Sequence, residues 1–161
     1  AIECRGARHC EREHRTLACR AFPFFPYFPR SGNFVGLAYY WIFADRCWLM
    51  SHVEVVERDF VKEFCEAYEL LFADDPDERQ AFRDQSAAMR RVYSRRKKPI
   101  PLIGRDGGYF AVQPGTGEIK PAKVTDFERH GPYVSAKAYR EAVEAHSGGT
   151  EEMTVELILD R

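Results

Sequence analysis

The sequence predicts an α+β fold, and three observations predict it. Two stretches, 52–73 and 76–96, combine helix-start chemistry with apolar residues at 3.6-residue spacing. Residues 100–120 break instead into short β-like runs separated by glycine-containing turns. Before both, residues 4–19 hold three of the five cysteines but almost no apolar periodicity, so this segment cannot close over a core of its own. The expected layout is a single domain over residues 1–161. It comprises a cysteine-rich, irregular N-terminal region running into an aromatic-proline stretch (1–50), a central helix pair (51–98), and a small antiparallel sheet with one helix (99–161). At 161 residues the chain is long enough to bury a core without staples.

In chain order, AFPFFPYFPR (21–30) places Pro23, Pro26 and Pro29 at a period of three, the repeat of polyproline II. It reads as a rigid aromatic strap over the core, with a ligand for a proline-binding domain as the alternative. Ser31-Gly32-Asn33 follows as a turn. Residues 34–43 are apolar enough for a strand or a short buried helix, which periodicity cannot separate. Ser51 and Glu54 form an S-x-x-E capping box, so a helix is expected over 52–73 with Val53, Val56, Phe60, Phe64, Ala67 and Leu71 on its inner face. Asp75-Pro76-Asp77-Glu78 starts the next helix, with Asp75 as N-cap, Pro76 in the first turn and Phe82, Ala88, Met89 and Val92 turned inward. Its end is basic: Arg90, Arg91, Arg95, Arg96, Lys97 and Lys98. Pro99 stops it. Runs at 100–103, 109–113 and 118–120 are strands joined by hairpin chemistries at 105–108 and 114–117. Ser135 caps a helix over 135–146, ended by Gly148-Gly149, and 154–159 is expected as a last strand.

Composition excludes several classes. The 24 basic and 25 acidic side chains nearly cancel, so no overall field favours a polyanion, and nucleic acid is not an expected partner. The longest apolar run, at 34–44, is about half the roughly 20 residues that span a bilayer, so no membrane association is expected. No signal-peptide pattern opens the sequence. Phosphate-loop, G-x-S-x-G and H-E-x-x-H motifs are absent. An odd number of cysteines in a chain of this size points to a reducing, cytoplasmic setting and thiolate chemistry rather than a disulfide framework.

Four of those cysteines, Cys4, Cys10, Cys19 and Cys47, are spaced C-x5-C-x8-C-x27-C. Thiolates a few residues apart can wrap one ion at small closure entropy, and the binding free energy then orders a segment that has no core. Four such ligands suit tetrahedral zinc or an iron–sulfur cluster, and the spacing does not choose between them. His9 and His14 are possible further ligands, as is Cys65, which reads first as a core cysteine. Arg15 and Arg20 flank Cys19, where their charge would offset that of clustered thiolates; ordinary surface arginines are the alternative.

The run Cys4, Cys10, Arg15, Cys19, Arg20, Phe22 and Pro23 resembles the YkgJ-like bacterial cysteine-cluster family, described as zinc- or iron-chelating domains and including the flagellin lysine N-methylase branch. The likeness is strongest over residues 4–25. It implies a metal or cluster as ligand, and, because that family opens with a dense C-x3-C-x2-C-C cluster, further cysteines upstream of Cys4. Thr16 stands where the family has proline, and charged residues follow Cys10 where it has an Ile-Tyr pair. The expected function is a metal-binding protein holding zinc or an iron–sulfur centre. The alternatives are an iron–sulfur oxidoreductase or methylase-like protein-modifying enzyme, and a structural-zinc module that docks a protein partner.

Overall fold

The structure is a computed structural model and describes residues 12–146. Ten elements matter here: α1 (Leu17–Ala21), β1 (Phe24–Tyr27), β2 (Gly36–Tyr39), α2 (Trp48–Ser51), α3 (Arg58–Asp74), α4 (Pro76–Arg96), β3 (Ile100–Gly104), β4 (Tyr109–Val112), β5 (Ile119–Pro121) and α5 (Ala136–His146). The strands form one antiparallel sheet in the order β1-β2-β3-β4-β5. Mixed helix and antiparallel sheet is the expected class, but the sheet is not confined to the last third of the chain. Its first two strands come from the region expected to be irregular.

The aromatic-proline stretch supplies β1. Polyproline II and strand share the broad β region of φ and ψ, so three prolines could not decide between them. Pairing with β2 decided it: Phe24 lies opposite Tyr39 and Pro26 opposite Leu37. Pro26 is tolerated because β1 is an edge strand, where a missing N–H removes no central ladder bond. Phe24, Phe25, Tyr27 and Phe28 are all buried, as a core strap requires and an exposed proline ligand does not. The Phe22-Pro23 peptide bond is cis.

Between β2 and β3 the chain makes the helix pair. The expected helix at 52–73 does not start at the Ser51–Glu54 box. Ser51 ends the short α2, a 3-10 turn spans Val53–Val55, and α3 begins only at Arg58. Both box residues are taken by distant partners, Ser51 Oγ by the N–H of His130 at 2.9 Å and Glu54 by Arg129 at 3.6 Å. The buried face of α3 is accordingly Val61, Cys65, Tyr68 and Phe72, one position round from the expected stripe, with Phe60, Phe64 and Leu71 on its flank. For α4 the start is as read: Asp75 Oδ1 accepts from Glu78 N at 2.9 Å and Pro76 follows. Its buried face is Phe82, Ser86, Met89 and Tyr93, with Ala88 and Val92 at the margin. The pair lies on the sheet, α3 over β2 and α4 over β1 and β3. Rings from α3, α4 and the exit of β1 meet there, Phe72 with Phe28 at 5.4 Å in a tilted pair and with Phe82 at 5.9 Å edge-on, the latter a geometry that aromatic quadrupoles favour.

Gly36 pairs with Gly104 between β2 and β3. Its φ is +148°, and a Cβ there would stand 2.2 Å from the Ile103 carbonyl oxygen, so only glycine fits. The hairpin turns at 105–108 and 114–117 join β3 to β4 and β4 to β5 as expected. Ser135 Oγ accepts from Ala138 N at 3.1 Å to start α5. The strand expected at 154–159 lies outside the described residues.

Candidate functional site

The segment carrying Cys19 is folded by its own side chains. Thr16 adopts extended backbone and its Oγ1 accepts from Cys19 N at 3.3 Å, capping α1. Arg20, at the end of this single-turn helix, reaches back: Nε donates to the Arg15 carbonyl and Nη2 to the Glu13 carbonyl, each at 3.1 Å. The guanidinium thus ties residues 13–20 into one loop, and Ala21, fully buried, pins the loop to the start of β1. Cys19 is exposed on this clamped turn, with His14 and Arg15 also exposed on the same segment. Arg20 was expected as a counter-charge to thiolates. Its hydrogen bonds show a main-chain clamp, a role the Cys-Arg dipeptide alone did not reveal.

Cys47 is the N-cap residue of α2 and is half-buried against the core. One residue on, Trp48 stacks on His52 with ring centroids 4.5 Å apart and planes within 13°. His52 Nδ1 lies 3.1 Å from the Trp48 carbonyl, a contact that is a hydrogen bond when Nδ1 carries a proton, since a carbonyl only accepts. These two rings, with Arg129, Tyr133, Ser135 and Tyr139, line a cavity of about 470 Å³. Tyr133 closes one side, its hydroxyl donating to the Arg46 carbonyl at 3.3 Å. Burial pushes the Tyr133 phenol up, and neighbouring Tyr139, Cys47 and Asp45 push the same way. Sequence reading missed this cavity. Its walls come from residues eighty positions apart, and the one local signal was the aromatic pair Trp48 and His52 at i, i+4.

Cys65 is different in kind. It is 2% exposed, between Val61 and Tyr68 on the inner face of α3, and burial pushes its thiol up to about 11, against the opposing charge of Arg105. This is the packing position the sequence first suggested. A desolvated thiol is a poor thiolate source.

Cys4, His9 and Cys10 lie outside the described residues. Among the described residues, Cys19, Cys47 and Cys65 are free thiols, and no three His, Cys, Asp or Glu side chains are grouped as metal ligands. The described part therefore presents two approachable cysteines, one on the α1 loop and one at the head of α2. Among the described residues no helix is long and apolar enough to cross a membrane.

The fold thus defines a mixed α+β protein whose antiparallel sheet is overlaid by a helix pair. No family model, curated protein or solved structure matches this chain.

Proposed function

We propose that this chain is a cytoplasmic metal-binding protein that holds zinc or an iron–sulfur centre through Cys4, Cys10, Cys19 and Cys47, with His9 or His14 as an alternative donor in place of a thiolate. The observation that carries the reading is the clamped loop at 13–20. A capping threonine and a two-carbonyl arginine clamp hold Cys19 in a defined turn and leave it exposed, which a packing cysteine such as Cys65 is not. Such a turn lowers the ordering entropy of gathering soft ligands spaced C-x5-C-x8-C. The donor chemistry fits a soft or borderline ion.

A second reading, an iron–sulfur oxidoreductase or protein-modifying enzyme, is favoured by the cavity adjoining Cys47, which is of a size to admit a small substrate. Elemental analysis and an absorption spectrum of anaerobically purified protein test both. About one zinc per chain without colour is the closed-site outcome; iron with acid-labile sulfide moves the enzyme forward. In either case Cys19→Ser lowers metal content and Cys65→Ser does not. Full metal retention in Cys19→Ser protein overturns the assignment.

A further inference from the structure

The basic end of α4 is not a uniform solvated face. Lys98 donates to both carboxylate oxygens of Glu128 at 2.7 Å, Arg96 lies over the Tyr93 ring at 5.7 Å, and Lys97 is the left-handed residue that ends the helix. Lys97 thus serves through its backbone, whereas the Lys98 and Arg96 side chains have local partners. Arg91 and Arg95 do not: among the described residues neither forms an ion pair, although like charges four residues apart on a helix repel. The dipole of α4 favours cations near its last turn, which accounts for some of this charge. It does not account for Arg30, which comes from the exit of β1 and faces the same place.

Arg30, Arg90, Arg91, Ser94, Arg95 and Pro114 together line a cleft of about 410 Å³, with no carboxylate among the described residues that line it. Its floor is preorganised. Arg90 donates to the Phe28 carbonyl, and the Phe28 N–H donates to Ser86 Oγ at 3.0 Å, so the chain leading to Arg30 is bound to α4 through both backbone groups of one residue. One residue before Phe28, the Tyr27 hydroxyl is fully buried without a hydrogen-bond partner among the described residues. Burial pushes that phenol up while Arg90 and then Arg30 oppose the rise, so both guanidiniums bear on one phenol.

We propose that this cleft is a binding site for a di- or triphosphate group, with Arg91, Arg95 and Arg30 as its charged contacts and Arg90 as the residue that fixes the floor. Forked guanidinium donors match phosphate oxygens two at a time, and several converging on a concave site select for closely spaced negative charge. The described residues of the lining include no aromatic ring on which a base could stack, which favours a ligand read through its phosphates over single-stranded nucleic acid. The chain's net charge of −1 likewise supplies no long-range field for an extended polyanion. Among the described cysteines, Cys19, Cys47 and Cys65 do not line the cleft.

Isothermal titration of inorganic tripolyphosphate into the full chain, at neutral pH and low ionic strength, is the test. Saturable binding of one ligand per chain is expected, weakened at least about tenfold by Arg91→Gln with Arg95→Gln and by a smaller factor in Arg30→Gln. Lys120→Gln, a surface cation elsewhere, leaves it unchanged. All are surface positions, and matching thermal melts establish that the variants fold. ATP binding within about threefold of tripolyphosphate identifies the phosphates as the recognised part, whatever carries them. The proposal is overturned by absence of saturable binding, by equal weakening in Lys120→Gln, or by a single-stranded oligonucleotide that binds more tightly than tripolyphosphate and gathers several chains.

Discussion

Ser86→Ala isolates the contact that joins the helix pair to the sheet. Ser86 is 0% exposed on α4; its hydroxyl accepts from the buried Phe28 N–H at 3.0 Å and donates to the Phe82 carbonyl at 2.8 Å. The second bond costs little to lose, because a helical carbonyl keeps its own i+4 partner. The first is the one that counts. Phe28 leaves the edge strand just where Arg90 holds its carbonyl, and without Ser86 its N–H has no acceptor in a dry environment. Stranding a buried donor costs about 1–3 kcal/mol, and alanine returns up to about 0.5 kcal/mol in helix propensity. The net loss is about 0.5–2.5 kcal/mol. With a urea m-value of roughly 1–3 kcal/mol/M, a loss near the middle of that range lowers the denaturation midpoint by about 0.5–1.5 M at unchanged m. Tryptophan fluorescence reads the transition. A double-mutant cycle with Arg90→Gln should show coupling above about 0.5 kcal/mol, since both side chains hold one residue. A Ser86→Ala midpoint equal to or above that of the parent would refute the reasoning.

Other outcomes follow from single positions. Gly36→Ala forces a Cβ into the Ile103 carbonyl at a φ of +148°; a loss of about 2–4 kcal/mol is expected, from strain and overpacking together, and a calorimetric melt that moves by less than a degree or two contradicts it. Thiol titration at neutral pH should find Cys19 reactive and Cys65 silent until unfolding, as read by mass spectrometry of alkylated peptides. The raised Cys65 pKa also has a pH signature. Between the thiol's ordinary 9.0 and about 11 the unfolded chain ionises while the folded chain does not, so this contribution is complete below the lower value and lost as pH rises through the upper one. Two pKa units correspond to about 2–3 kcal/mol, and Cys65→Ala should flatten the stability profile over that alkaline window. An identical profile in the variant sinks this prediction.

What the sequence by itself determined is what short-range chemistry decides. Asp75 followed by Pro76 started α4 because an N-cap carboxylate and a proline in the first turn act within four residues, and the turns at 105–108 and 114–117 set their hairpins for the same reason. Ser135 began α5 likewise. Tertiary structure decided the rest, wherever one local pattern allowed two outcomes. Ser51 and Glu54 spelled a helix start, yet His130 and Arg129 took both side chains, and α3 began seven residues after Ser51. The proline-aromatic run could be a polyproline strap or a strand until β2 supplied the ladder. The arginine cleft exists only because Phe28 is tied to α4, bringing Arg30 to Arg91 and Arg95 across some sixty residues of chain. Contacts at that separation leave no periodic trace in sequence, because their closure is set by packing of the whole core and not by any segment's own preference.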